Sequence, residues 1–130
     1  MEKDLKDLLL HDLSCRIPYG VIVNVNGLFD SKLTSVSWYS EVSVDGSVGL
    51  YPISEVKPYL FPLSSMTETQ CYELASIRSG FQDCWKYIKT PIPLSICNFE
   101  QIDWFHKNHF DYRGLIEKGL AIDATNLNIY

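Results

Sequence analysis

Two short turn sequences, Asn26-Gly27 and Asp45-Gly46, constrain the fold of this chain more than any other feature. Each favours the two-residue type I′ turn of a β-hairpin, in which both residues have positive φ. From residue 20 onwards, apolar side chains recur at every second position, which is the period of a strand with one buried face. The sequence therefore predicts a three-stranded antiparallel meander over residues 20–53.

The middle strand of this meander is expected to run unbroken between the two turns. Its polar face includes Tyr39 and is expected to face water. The opposite face is expected to be buried and to continue into the third strand up to Pro52. The side chains predicted to share this buried face are Val36, Trp38, Val42, Val44, Val48 and Leu50.

Three segments have the pattern of helices. Leucines at helical spacing predict a first helix over residues 3–14, with Asp12 on its polar side. Ser65 and Glu68 form the pattern of a capping box, which predicts a second helix over residues 66–79, and residues 98–101 resemble the start of a third. The apolar faces of the second and third helices would carry Cys71, Leu74, Ala75, Phe99, Ile102 and Phe105, with Arg78 at the edge.

The remaining segments are expected to be irregular or short. Residues 57–63 contain two prolines, so we expect an extended connector rather than a central strand. Residues 81–94 are ambiguous and could hold a short strand. Residues 111–118 fit one more helical turn, and the tail 120–130 fits a closing edge strand with Leu127 and Ile129 on one side.

These elements predict the α+β class and a single domain over residues 1–130. We expect a short antiparallel sheet of three to four strands, with an SH3-like partial barrel as one possible form, packed by about three helices.

Charge and cysteine spacing exclude several classes of function. The 16 acidic residues outnumber the 11 basic ones, and the basic residues are scattered, so nucleic acid is not the expected partner. The apolar runs are too short to span a membrane, and the start of the chain does not resemble a signal peptide. None of the four cysteines forms a CxxC pair, which disfavours a zinc ribbon and fits a cytoplasmic protein with free thiols.

One polar cluster could carry chemistry. It comprises Asp103, His106, His109, Asp111, Tyr112 and Arg113. A small metal-dependent hydrolase could use His106 and His109 with Asp111 or Asp103, but zincins space their histidines by four around a glutamate that is missing here. The alternative interpretation is a polar helix end, where the helix dipole favours histidine. The chain has no P-loop, dinucleotide fingerprint or nucleophile elbow, so we expect no cofactor and assign no catalytic or metal-binding residue.

A second candidate set consists of aromatic side chains on the meander and the connector: Tyr39, Tyr51, Tyr59 and Phe61. Such side chains can cover a sheet face, contact a partner protein or stack on the bases of single-stranded nucleic acid. Because no basic residues lie among them, packing and protein contact are the preferred interpretations.

Three blocks of sequence resemble a known family. They are residues 8–21, which include Leu8-Leu9-Leu10-His11-Asp12-Leu13 and Arg16-Ile17-Pro18-Tyr19-Gly20-Val21; residues 56–67, with Lys57-Pro58-Tyr59-Leu60-Phe61-Pro62-Leu63; and residues 104–125, with Lys107-Asn108-His109-Phe110-Asp111-Tyr112-Arg113. Together they are similar to a family of small uncharacterised proteins from gut Bacteroides genomes, often associated with phages and mobile elements. The resemblance implies a cytosolic accessory protein of such an element, and it implies no activity, cofactor or catalytic residue.

The leading hypothesis is therefore a non-enzymatic protein-interaction or accessory protein, whose partner is a host protein or a second copy of the chain. The metal-dependent hydrolase and a small-barrel nucleic-acid binder built on residues 20–53 are the alternatives.

Overall fold

The computed structural model describes residues 2–37, 39–77 and 99–130. The helices are α1 (Lys3–Arg16), α2 (Glu68–Ile77) and α3 (Phe99–Lys107), and the strands are β1 (Ile22–Val25), β2 (Phe29–Val36), β3 (Glu41–Val44), β4 (Tyr51–Pro52), β5 (Val56–Pro62), β6 (Phe110–Asp111) and β7 (Ile122–Asp123). The predicted α+β class is confirmed, although the sheet is larger than expected. The predictions for Trp38, for the burial of Ala75, for Arg78 and the end of the second helix at residue 79, for residues 81–94 and for the start of the third helix at residue 98 lie outside the described part of the chain.

The strands form one mixed sheet. Hydrogen bonds connect β4-β3-β2-β1-β5-β6, and β7 also pairs with β5. Strands β1 to β4, which replace the predicted three-stranded meander, and β5 pair antiparallel, whereas β6 and β7 lie parallel to β5. The Asn26-Gly27 turn has the predicted positive φ at both residues, 54° and 72°.

The first helix forms as expected and extends two residues further, to Arg16. The inner face of this helix packs on the sheet, and the apolar side chains between helix and sheet form the larger of two hydrophobic cores. That core contains Leu9, Leu13, Val21, Val23, Val25, Leu33, Val42, Val44, Ile53, Val56, Leu60, Leu115, Leu120 and Ala121. A second core joins α2 and α3 to β6 and contains Leu63, Met66, Cys71, Leu74, Phe105, Phe110 and Tyr112.

The middle strand of the meander is not continuous, contrary to our expectation. A turn interrupts it, because Ser40 N donates to Ser37 O at 3.2 Å and Ser40 has a φ of 61°. The two halves become β2 and β3, which pair with each other across this turn and bring Val36 opposite Val42.

The strand after Gly46 is also shorter than predicted. Val48 and Leu50 were expected in the core, but both lie on an open loop and are exposed, Leu50 by 56%. Of residues 46–52, only Tyr51 and Pro52 pair with β3.

The two-proline segment is a central strand rather than a connector. Phe61 N donates to His109 O and Tyr59 O accepts from Tyr130, while Leu60 O accepts from Ala124 N on the other edge. Backbone groups of alternate residues point to opposite edges of a strand. Pro58 and Pro62 therefore direct their backbone nitrogens to the edge of β5 that pairs with β7. Strands β1 and β6 pair along the other edge, so neither of them loses a hydrogen bond to a proline.

The second helix begins later than its predicted capping box. Thr67 N donates to Gln70 Oε1 at 2.9 Å and Gln70 N donates to Thr67 Oγ1 at 3.2 Å, so this pair forms the box. Ser65 Oγ instead donates to Pro62 O.

The chain after α3 forms a single helical turn, as expected, but not the expected long edge strand. Lys118 N donates to Gly114 O at 3.3 Å, which closes that turn, and the tail pairs with the sheet only through β7 among the described residues. Phe99 and Leu127, expected on apolar faces, are exposed. None of the helices that the structure describes is long and apolar enough to span a bilayer.

Candidate functional site

The polar cluster predicted near the C-terminus is tied to α1 by buried charges. Asp12 and Arg16 lie one helical turn apart with no exposed surface, and Arg16 Nε donates to Asp12 Oδ2 at 2.7 Å. Arg16 Nη2 also donates to the backbone oxygen of Phe110 at 2.7 Å. Arg113 Nε lies 3.1 Å from Asp12 Oδ1, so one carboxylate faces two guanidinium groups.

Sequence reasoning missed the two helical members of this network. It placed Asp12 on the polar side of the first helix and gave Arg16 no role. The available signal was spacing, because Arg16 follows Leu9 and Leu13 at intervals of four and three on the same face. Such a position buries a charged side chain, and a buried charge requires a partner.

Tyr112 links this network to His106. Arg113 Nε and Nη2 both donate to the Tyr112 hydroxyl, at 3.2 and 2.9 Å. The hydroxyl lies 2.6 Å from His106 Nε2, and because it already accepts from Arg113 we assign its own proton to the bond with that nitrogen. His106 is therefore neutral, and burial, followed by the charge of Arg16, lowers its pKa to about 4. Burial also raises the pKa of Tyr112.

His109 lies apart from this chain of hydrogen bonds. Its ring stacks on Tyr130, with ring centroids 3.6 Å apart and planes 8° from parallel. Its backbone has a φ of 61°, which is uncommon for a residue other than glycine. Burial, with the nearby Arg16 charge as a smaller cause, lowers the pKa of His109 to about 4.

The two carboxylates of the cluster have different surroundings. Both oxygens of Asp111 accept backbone N–H groups, those of Leu115 and Ile116, each at 2.9 Å. Asp103 is largely exposed, with Oδ1 4.0 Å from His106 Nδ1. Within residues 2–37, 39–77 and 99–130, no three His, Cys, Asp or Glu side chains are placed to hold a metal ion.

The four candidate aromatic residues do not form one surface. Tyr39 is 85% exposed in the turn between β2 and β3. Tyr59 is buried, and its hydroxyl donates to Asp30 Oδ1 at 2.6 Å. Phe61 packs between Phe110 and Tyr130, with ring centroids about 6 Å away on either side. Tyr51 is half-buried at the opposite end of the sheet.

Around Tyr51 the structure exposes a group of apolar side chains that we call the tip surface. It comprises Leu28, Phe29, Val48, Leu50 and Tyr51, from the β1–β2 turn and the β3–β4 loop. The Phe29 and Tyr51 rings meet edge to face, with centroids 5.9 Å apart. Leu28 is 78% exposed, Val48 is fully exposed, and the Ser47 and Tyr51 hydroxyls lie 2.7 Å apart, which ties the loop to the ring.

Sequence reasoning missed this surface because it assigned Val48 and Leu50 to the core. Their alternation continues the pattern of the preceding strand. The contrary signal was Gly49 between them, because a glycine inside a short strand weakens it.

Comparisons with known proteins add no further assignment. No protein-family model matches the chain, and no curated protein or solved structure is significantly similar to it.

Proposed function

We propose that this protein is a non-enzymatic interaction module that contacts a partner protein through the tip surface. The observation that carries the proposal is the exposure of Leu28, Val48 and Leu50 on two adjoining turns. Contiguous exposed apolar side chains on a soluble domain are typical of interaction sites.

The tip surface also has the composition of an interface centre. Aromatic side chains are enriched among the residues that contribute most to binding, and Phe29 and Tyr51 lie beside the exposed aliphatic residues. Leucine and valine around them would exclude water from the contact.

The loop that carries the surface is held before any partner binds. The Ser47–Tyr51 hydroxyl contact and the Phe29–Tyr51 ring contact fix both turns relative to the sheet. Less conformational freedom is then lost on association, which favours affinity.

The alternatives have less support from the contacts. Both oxygens of Asp111 are occupied by backbone N–H groups and His106 Nε2 is hydrogen-bonded to the Tyr112 hydroxyl, so two side chains of the hydrolase site are already used within the fold. A nucleic-acid partner would meet a chain with a net charge of -5.

The proposal also includes the cellular location and the kind of genetic element in which this protein acts. The three sequence blocks that resemble Bacteroides proteins support an accessory role in a phage or mobile element, inside the cytoplasm. The partner is then a host protein or a second copy of the chain.

Site-specific photocrosslinking tests the proposed function. A p-benzoylphenylalanine at position 48, in place of Val48, would be illuminated in a lysate of the organism that carries the gene. The matched control carries the same group in place of Tyr72, an exposed side chain on α2. Competition uses an excess of the wild-type chain or of a tip variant with Leu28→Ser, Val48→Ser and Leu50→Ser.

We expect one protein adduct from position 48 that is absent from position 72. Wild-type chain should suppress it and the tip variant should not. An adduct between two copies of the chain would identify self-association. Equal competition by the tip variant, or the same adducts from both positions, would contradict the proposed function.

A further inference from the structure

We infer that the sheet contains a binding site for a phenol ring, at the fork where β1 and β6 separate along one edge of β5. Tyr130 fills this fork in the closed chain, and a free phenol can take its place when Tyr130 is withdrawn. The fork lies at the other end of β1 from the tip surface, so the inference is independent of the proposed function.

The edge of β5 opposite β7 is shared by two strands. Strand β1 pairs along residues 56–58 and β6 along residues 61–62, and the backbone oxygen of Tyr59 faces the gap between them. If the register of β1 continued by one residue, Ile22 would lie opposite Tyr59. The N–H of Ile22 also faces β5, because the preceding residue, Val21, accepts from β2 on the other side. The fork thus presents one backbone donor and one backbone acceptor.

The Tyr130 hydroxyl completes this interrupted ladder. It accepts from Ile22 N at 2.9 Å and donates to Tyr59 O at 2.8 Å, where two paired strands would have one direct N–H to oxygen bond. Burial raises the pKa of Tyr130 to about 12, so the hydroxyl keeps the proton that it donates. A hydroxyl accepts and donates at once, whereas a ring without one would leave both backbone groups unpaired.

Aromatic side chains form the walls of the fork. The His109 ring stacks on Tyr130 with centroids 3.6 Å apart, and the Phe61 ring lies 6.0 Å away at a tilt of 53°. These two rings belong to the residue before β6 and to β5, not to the segment that carries Tyr130. The fork therefore favours a flat ring by stacking and a hydroxyl group by two hydrogen bonds.

Tyr130 reaches the fork on a largely exposed segment, residues 125–129, which we call the strap. The backbone N–H groups of Thr125 and Leu127 donate locally, to residues 123–124. A segment with few buried contacts opens at a small fraction of the free energy of global unfolding. We therefore expect Tyr130 to leave the fork while the sheet stays folded.

Amide hydrogen exchange of Ile22, measured by NMR, tests the site. Tyr130→Phe keeps the ring and removes the hydroxyl, and Tyr130→Ala removes both. The Tyr130→Ala chain is also measured with p-cresol, which is the tyrosine side chain as a free molecule, and with toluene at equal concentration, which lacks the hydroxyl.

Two controls accompany this measurement. Tyr72→Ala, which removes an exposed tyrosine on α2, reports any nonspecific effect of p-cresol. The amide of Leu33, which donates to Val21 O at 3.0 Å, reports whether the ladder between β1 and β2 stays intact.

We expect Ile22 to exchange about ten-fold faster in both Tyr130 variants than in the wild type, as for the loss of one hydrogen bond, with Leu33 unchanged. In Tyr130→Ala, p-cresol should restore slow exchange and toluene should not. Neither should act on the wild type or on Tyr72→Ala, in which Tyr130 fills the fork.

Equal Ile22 rates in the wild type and Tyr130→Phe, or an effect of p-cresol no greater than that of toluene, would overturn the inference. If Tyr130→Ala proved too unstable for exchange measurements, p-cresol should raise its urea midpoint more than toluene does, because a ligand of the folded state stabilises it. Equal midpoints with the two compounds would overturn the inference in the same way.

Discussion

At the scale of single residues, Asp12 has the most demanding position in the fold. Its carboxylate lies between two guanidinium groups and is fully buried together with Arg16. Removing one partner from a buried ion pair leaves an uncompensated charge, which costs more than the pair itself contributes. The network therefore stabilises the fold only while all its members are present.

Replacing Asp12 with asparagine should lower the free energy of unfolding by about 3 kcal/mol or more, because Arg16 would keep its charge without a counterion. Urea denaturation measures this change. The matched control is Asp7→Asn on the exposed side of the same helix, for which we expect a change within about 0.5 kcal/mol. Equal effects of the two substitutions would contradict the buried network.

The two buried histidines predict a dependence of stability on pH. His106 and His109 have pKa values of about 4 in the folded chain, below their ordinary value of 6.5. Between these pH values the unfolded chain binds more protons, so stability should be highest above pH 6.5 and fall as the pH drops towards 4.

Urea midpoints across this pH window test the prediction. His106→Gln combined with His109→Gln should flatten the loss of stability between pH 6.5 and 4, and His11→Gln, an exposed control on α1, should not. A wild-type profile that is flat in this window would contradict the neutral state of the two rings.

At the scale of elements, successive backbone N–H groups of β5 face alternate edges of the strand, and this determines at which positions a proline can be tolerated. Backbone groups of residues two apart face the same edge of a strand, so the N–H of Lys57 faces β1, as the backbone of Tyr59 does. The backbone nitrogen of Pro58 faces the opposite edge. Lys57→Pro should lower the free energy of unfolding by about 3 kcal/mol. Pro58→Ala should lower it by about 1 kcal/mol.

Lys57→Ala is the control for loss of the lysine side chain, which is exposed, and should change stability by less than about 0.5 kcal/mol. Thermal or urea denaturation of the three variants measures the order of effects. If Lys57→Pro were no worse than Pro58→Ala, the assignment of the two edges would be wrong.

Local sequence patterns predict some elements of this fold and miss others. Helix α1 and the Asn26-Gly27 hairpin follow from local patterns and were confirmed. The Ser37–Ser40 turn lacks glycine and proline, and the alternation of Val36 with its neighbours continues through it, so local patterning could not reveal it. The central position of β5 depends on which edge each proline faces, and that is fixed only by pairing with distant strands.

The polar cluster near the C-terminus could also be predicted only in part. Its residues were identified from the sequence, but their contacts depend on Asp12 and Arg16, about 90 residues away along the chain. Composition alone cannot show that two oxygens of Asp111 are taken by its own following backbone. The tip surface was missed because exposure of Val48 and Leu50 depends on where β3 ends.

At the scale of the whole molecule, the first and last parts of the chain stabilise each other. Arg16 contacts the backbone at Phe110, and the Tyr130 hydroxyl accepts from Ile22 N at 2.9 Å and donates to Tyr59 O at 2.8 Å. These contacts join helix α1, strands β1 and β5 and the C-terminal tail, which are far apart in the sequence.

The central claim is that the tip surface, and not the C-terminal polar cluster, meets the partner. Hydroxyl-radical footprinting of the isotope-labelled chain, in buffer and in host lysate, tests it most directly. We predict that oxidation of Leu28, Phe29 and Leu50 falls in the lysate while oxidation of Tyr72 does not change. Protection confined to residues 103–113, or no protection anywhere, would contradict the claim.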